Sequence, residues 1–185
     1  MITGYTSAIM KKLFLSLPLM FLWACGPATP TPPLNAGKTL FALQDFKFDA
    51  ETGIYPEENR GAVAIDASNP EFRNVFFAAR HTVDWLDTPQ AFNLNLDIIA
   101  EFDGESEYII KLNDKPALRA TAPATPEGFS PATLKLGVIK LSPGDKLSVL
   151  SNAVTNGKIP EGDGTAYSRG RWTKVILKNT AEDDG

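Results

Sequence analysis

The groups best suited to recognising a ligand are gathered near the C-terminus, in residues 152–170, NAVTNGKIPEGDGTAYSRG. This stretch carries Asn156, Lys158, Glu161, Asp163, Tyr167 and Arg169, and Arg171 follows directly behind it. Amide, carboxylate, ammonium and guanidinium groups make directional hydrogen bonds, and a flat aromatic face packs against the C–H side of a sugar ring. Such a mixture in one loop is the chemistry of a sugar site. The same residues could instead hold a glycine-rich loop together, with Arg169 and Arg171 paired to Glu161 and Asp163. Trp85, flanked by Asp84 and Asp87, is either an exposed stacking platform or a plug folded back on the core. Trp172 sits beside Val175 and Ile176 and reads as core, while Tyr55 lines a site or covers a sheet.

Catalysis finds little support in these residues. His81 is the one histidine, and no Ser or Cys stands in a recognisable nucleophile elbow. Glu101, Asp103 and Glu105 could supply paired carboxylates for glycoside hydrolysis, but a strand end followed by a turn is expected to be solvated. A polysaccharide lyase would need His81 and Tyr167 to converge in one groove. No catalytic residue is therefore assigned.

Length and composition bound what can position such groups. The chain has 185 residues, 43% of them hydrophobic, with a formal net charge of −4, which fits one globular domain and excludes disorder over most of its length. A pI near 5.1 gives no basic footprint for nucleic acid. One Cys and one His exclude a disulfide framework and a Cys/His zinc site.

That Cys ends a distinctive segment. Lys11 and Lys12 precede an apolar run over residues 13–24, too short to span about 30 Å of hydrocarbon comfortably and ordered like a signal peptide with its start at Met10. The run closes on Leu22-Trp23-Ala24-Cys25, which resembles a bacterial lipobox. The resemblance implies removal of residues 1–24, lipidation of Cys25 as with palmitate, and a cell-envelope location, most readily the outer membrane or cell surface. Residues 25–37 then form a Pro/Thr-rich tether that favours polyproline II. Loss of the signal peptide leaves 16 basic against 22 acidic residues, a charge of −6.

From Lys38 onward the pattern is of short alternating runs broken by Gly, Pro, Asn and Asp. Residues 92–98 alternate cleanly, and 39–48, 62–66, 75–79, 108–112, 134–139, 146–150 and 171–178 are further strands. A slip near Gly137 predicts a bulge, and one inside TLFALQDFKF interrupts the first strand. About eight or nine strands give an all-β fold, an antiparallel β-sandwich or jelly roll over residues 38–180, with an acidic tail at 181–185. Two stretches, 79–90 and 152–170, exceed ordinary connectors and are the functional loops.

Residues 101–113, EFDGESEYIIKLN, together with 141–177, LSPGDKLSVLSNAVTNGKIPEGDGTAYSRGRWTKVIL, resemble a β-sandwich module of secreted proteins from polysaccharide-degrading bacteria. The layout is similar to jelly-roll carbohydrate-binding modules, with Asn113-Asp114-Lys115 in place of the expected Asn-Gly turn and no counterpart to the Trp85 loop. The resemblance implies non-catalytic polysaccharide or oligosaccharide binding. It also implies a structural calcium, which takes six to eight oxygens at about 2.3–2.6 Å; Asp45, Asp49 and Glu51, or Asp84 and Asp87, could contribute, without EF-hand spacing. Lys158, Arg169 and Arg171 in an acidic domain point to an acidic or sulfated glycan. Neighbouring glycan-degrading enzymes or transporters are the further expected partners. The competing class is a structural or protein-interaction sandwich of an envelope complex, which a flat apolar patch would favour.

Overall fold

The computed structural model describes residues 37–48 and 53–180, all within the second of two compact units, residues 33–185. The signal segment, Cys25, nearly all of the tether, Asp49, Glu51 and the acidic tail lie outside the described residues.

The domain is an antiparallel β-sandwich. Its larger sheet contains β1 (Lys38–Phe41), β2 (Ile54–Glu57), β3 (Ala62–Ile65), β5 (Gln90–Ala100), β8 (Ser130–Leu141) and β12 (Arg171–Asn179). Its smaller sheet contains β4 (Phe76–Thr82), β6 (Glu107–Leu112), β7 (Lys115–Thr121) and β9 (Lys146–Asn152), and β10 (Pro160–Glu161) pairs with β11 (Gly164–Thr165) as a separate hairpin. The larger sheet runs β2-β3-β12-β5-β8, with β1 also on β12, and the smaller runs β4-β9-β6-β7. All the strand pairs are antiparallel.

β5 shows why the sequence folds this way. Along its eleven residues every second side chain is buried, so Phe92, Leu94, Leu96 and Ile98 enter the core while Asn93, Asn95 and Asp97 stay partly exposed. Trp172 is fully buried, as expected, with Phe46 edge-on at 4.9 Å. The predicted bulge is present: Leu94 pairs with Gly137 but Asn95 with Lys135, leaving Leu136 as the extra residue.

Three features depart from the expected elements. The slip in TLFALQDFKF is a single helical turn, α1 (Ala42–Asp45), whose Asp45 Oδ2 accepts from the Phe41 N–H at 2.6 Å. β2 and β7 were not expected; each is an edge strand containing a proline, Pro56 or Pro116, which interrupts the alternating pattern. The expected long stretch 79–90 is shortened from both ends, because β4 continues to Thr82 and β5 begins at Gln90. Only 83–89 remains a connector, whereas 152–170 is a long loop folded over its own small hairpin.

Antiparallel strands put alternate connections at opposite ends. Arg171, at the start of β12, lies beside the end of β5 at Ile99, while Leu177 lies beside Lys38. At about 3.3 Å per residue these two ends of β12 are roughly 20 Å apart.

Candidate functional site

A cleft of about 590 Å³ opens at the β12 start, walled by the long loop, the turn after β5 and the segment leading into β8. The long loop is pinned to that turn. The Asn156 N–H donates to the Asp103 carbonyl at 2.8 Å, the Asn156 side-chain amide to the Phe102 carbonyl at 2.9 Å, and the Gly170 N–H to the Ser106 hydroxyl at 3.1 Å. Gly104 makes the approach feasible, since a Cβ there would stand 2.3 Å from the Val154 carbonyl oxygen.

An ion-pair cluster forms the floor. Arg171, 4% exposed, bonds the carboxylates of Glu57 and Glu101, and Tyr108 donates its hydroxyl to the Arg171 carbonyl at 2.9 Å. Glu101 also accepts from the Arg169 N–H at 2.9 Å, and Arg169 Nη1 donates to the Tyr55 hydroxyl at 2.9 Å. Burial pushes the Glu101 carboxyl up, against the pull of Arg171 and the Arg169 N–H. Asp103 is likewise raised by burial, with the Glu161 charge adding to it. Burial would also lift Glu57, but hydrogen bonds and charge from Arg171 and Arg60 outweigh it and hold that carboxyl below its ordinary range. Asp103 Oδ1 is buried with no hydrogen-bond donor among the described residues.

Aromatic rings stand among these polar groups. Phe129 lines the cleft at 45% exposure, with the Arg60 guanidinium 3.7 Å from its ring centroid and that of Arg171 at 5.0 Å. Tyr167 carries Arg73 at 4.6 Å. The cleft's charged side chains balance, with Arg73, Arg169 and Arg171 against Glu101, Asp103 and Glu161.

The structure brings four expected residues together in this cleft, Glu161, Tyr167, Arg169 and Arg171, and places the others elsewhere. Asn156 and Lys158 line an adjoining hollow of about 320 Å³ with Phe102 and Glu105. Asp163 is exposed in the turn between β10 and β11. Trp85 is half-buried, edge-on to Phe92 at 5.5 Å, and lines a cleft at the other end of the sandwich, so it is largely the plug and not a platform beside the loop.

Several pairings are corrected. Arg171 pairs with Glu57 and Glu101, and Arg169 with Tyr55 and the Glu101 carboxylate, in place of Glu161 and Asp163. Glu101 and Asp103 are buried instead of solvated, because the long loop folds over the turn that carries them. His81 and Tyr167 line different clefts and do not form one groove. Of the calcium ligands, Asp45 is engaged by the Phe41 N–H, and no three His, Cys, Asp or Glu side chains converge among the described residues. Phe129 went unforeseen: it is an isolated aromatic in a turn-rich segment, with no periodicity to mark it.

No protein-family model matches the chain, and no curated protein matches it. Solved structures do. Insecticidal crystal protein Cry2Aa is similar over 78% of this chain and 22% of its own, at 14% identity and a TM-score of 0.53. The GH26-CBM35 β-(1,4)-mannanase of Podospora anserina is similar over 77% of this chain and 27% of its own, at 17% identity and 0.48. The CBM35 of Paenibacillus barcinonensis is similar over 74% and 97%, at 13% identity and 0.43. This chain thus spans about a quarter or less of the first two. At such identities the likeness is one of fold.

Proposed function

We propose that the protein binds carbohydrate, without cleaving it, in the cleft beside Arg171. One observation carries this reading: Phe129 is nearly half exposed in a cleft most of whose other lining residues carry hydrogen-bonding side chains. An exposed ring beside fixed carboxylate, guanidinium and phenol groups matches a ligand that is apolar on its ring faces and polar at its edges. Carbohydrate-binding modules and glycan-active enzymes among the similar folds accord with it but add no site residue. The balanced charges favour hydroxyl recognition over an acidic or sulfated ligand here. Arg171 is already neutralised by Glu57 and Glu101, and Lys158 belongs to the adjoining hollow.

The same proposal places the domain on a lipidated Cys25 in the bacterial envelope, where the Pro/Thr tether would keep it near neighbouring glycan-handling proteins. A protein-interaction role would instead call for a flat contiguous apolar patch; the exposed large apolar residues among the described ones are Phe41, Val75, Phe102, Phe129 and Val138.

The test is affinity electrophoresis against a panel of soluble polysaccharides. Retardation by at least one, lost in Phe129→Ala, supports the reading; no retardation across the panel defeats it. Acyl labelling of the full chain and its Cys25→Ser variant in a bacterial host tests the anchor, and label retained on the variant would refute it.

A further inference from the structure

Charge is unevenly spread along the sandwich. The end away from the Arg171 cleft is formed by the connector 83–89, the turns at 113–114 and 142–145, and Gly37, where the described chain begins beside Leu177 and Lys178. Strand register gathers six exposed cations here. Lys38 lies opposite Leu177, Lys178 opposite Asn93, Lys140 opposite Ala91 and Lys146 opposite Thr82. Lys47 bridges Arg80, two residues before Thr82.

The protein does not use these cations itself. Ion pairs among the described residues involve Arg60, Arg119, Arg171 and Lys174, and none of the six has a carboxylate within 4.0 Å. Of the acids at this end, Asp45 is held by the Phe41 N–H, and Asp145 accepts from the Ser142 N–H and the Asn113 side-chain amide, both at 2.7 Å. Asp84, Asp87 and Asp114 remain to offset the six. At the opposite end the sign reverses. Residues 101–107, EFDGESE, carry four acids and no basic residue, and residues 57–71 carry four acids against Arg60 alone. A chain of formal charge −4 has thus collected unpaired positive charge on one end and negative charge on the other.

We infer that the Lys38 end of the domain docks on the anionic phospholipid headgroups of a membrane, leaving the Arg171 cleft facing outward. The inference rests on the lipidated Cys25 proposed above. Cys25 precedes Gly37 by twelve residues, which extend to at most about 40 Å, so the attachment brings the domain to the surface and charge selects the face that meets it. Exposed lysines on six separate segments make no pocket, but a plane of headgroup phosphates meets them together. Each basic residue within a Debye length of about 8 Å strengthens such binding about fivefold. The acidic end is repelled by the same surface, which disfavours docking the other way round. Residues 182–184, all acidic, follow β12 from the docking end and oppose the attraction, so a chain ending at Thr180 should bind more tightly than the full one.

The test uses the Cys25→Ser full chain, which carries no lipid, so that it is read apart from the anchor. Failed acyl labelling would refute the anchor and leave the vesicle result standing, and the reverse also holds. Cosedimentation with vesicles of phosphatidylglycerol should be roughly tenfold or more tighter than with phosphatidylcholine, and salt should erase the difference. Lys146→Gln should weaken phosphatidylglycerol binding about fivefold, and adding Lys38→Gln, Lys140→Gln and Lys178→Gln should weaken it further. Lys158→Gln, at the opposite end, should leave it unchanged. On the vesicle, hydrogen exchange should slow in 83–89 and 142–145 and stay as it was in 152–170. Equal affinity for the two vesicles, or an undiminished preference in the fourfold variant, would overturn the inference. Displacement by soluble glycerol phosphate at matched phosphate concentration would overturn it in favour of a phosphate pocket.

Discussion

Arg171 and Glu101 are paired inside the protein with side chains only 5% exposed, although Arg171 is the first residue of β12 and Glu101 stands just beyond the end of β5. The pair exists because Arg171 opens β12 directly across from the end of β5, and the long loop then closes over both. Removing one partner leaves the other charged and buried. Arg171→Met is therefore expected to cost about 3–5 kcal/mol, read from the urea midpoint. Arg171→Met with Glu101→Leu should cost less than Arg171→Met alone, and a double variant as unstable as the sum of both singles would contradict this account.

The acids on Arg171 respond to pH in opposite senses. Glu57 is held below its ordinary value of 4.5, so the stability it contributes is present above that value and is lost as pH falls through the folded-state value. Glu101 is held above 4.5, so the folded state takes up its proton first, and that contribution grows as pH falls and is lost as pH rises. Between about pH 5 and 3, Glu57→Gln should flatten the fall of the urea midpoint and Glu101→Gln should steepen it. Identical slopes in the two variants would show the directions to be wrong.

Tyr108 is fully buried and its hydroxyl serves the Arg171 carbonyl. Tyr108→Phe should cost about 1–3 kcal/mol by leaving that carbonyl unpaired, with the fold kept intact by near-isosteric packing. An unchanged melting temperature would mean water replaces the hydroxyl.

Gly104 lies where two backbones meet. Gly104→Ala would press a Cβ onto the Val154 carbonyl, so the turn and the long loop must separate. Hydrogen exchange should accelerate at Asn156 and Gly170, whose N–H groups tie the two segments through the Asp103 carbonyl and the Ser106 hydroxyl, while β5 stays protected. Uniform protection in the variant would count against the packing described.

How much of this was legible beforehand divides by range of interaction. Strands with clean alternation, such as β5, and the bulge at Gly137 follow from local pattern and could be read directly. Strands β2 and β7 could not, because a proline at a sheet edge erases the pattern without erasing the strand. The long loop was visible as a loop and as chemistry, yet its partners were not. Glu57 is 114 residues from Arg171, and nothing local marks such a pairing. Phe129 and the paired walls of the Trp85 cleft likewise become meaningful only when distant segments close up.

The described chain begins at Gly37, beside Leu177 and Lys178, while the Arg171 cleft lies at the far end of the same strand. A pull between a ligand held in that cleft and the N-terminal side of the chain therefore runs along the strands. β1 would be loaded in shear against β12, all of its ladder bonds strained together, where a sideways pull would open them one at a time. Such a layout lets a four-residue strand carry tension without peeling away.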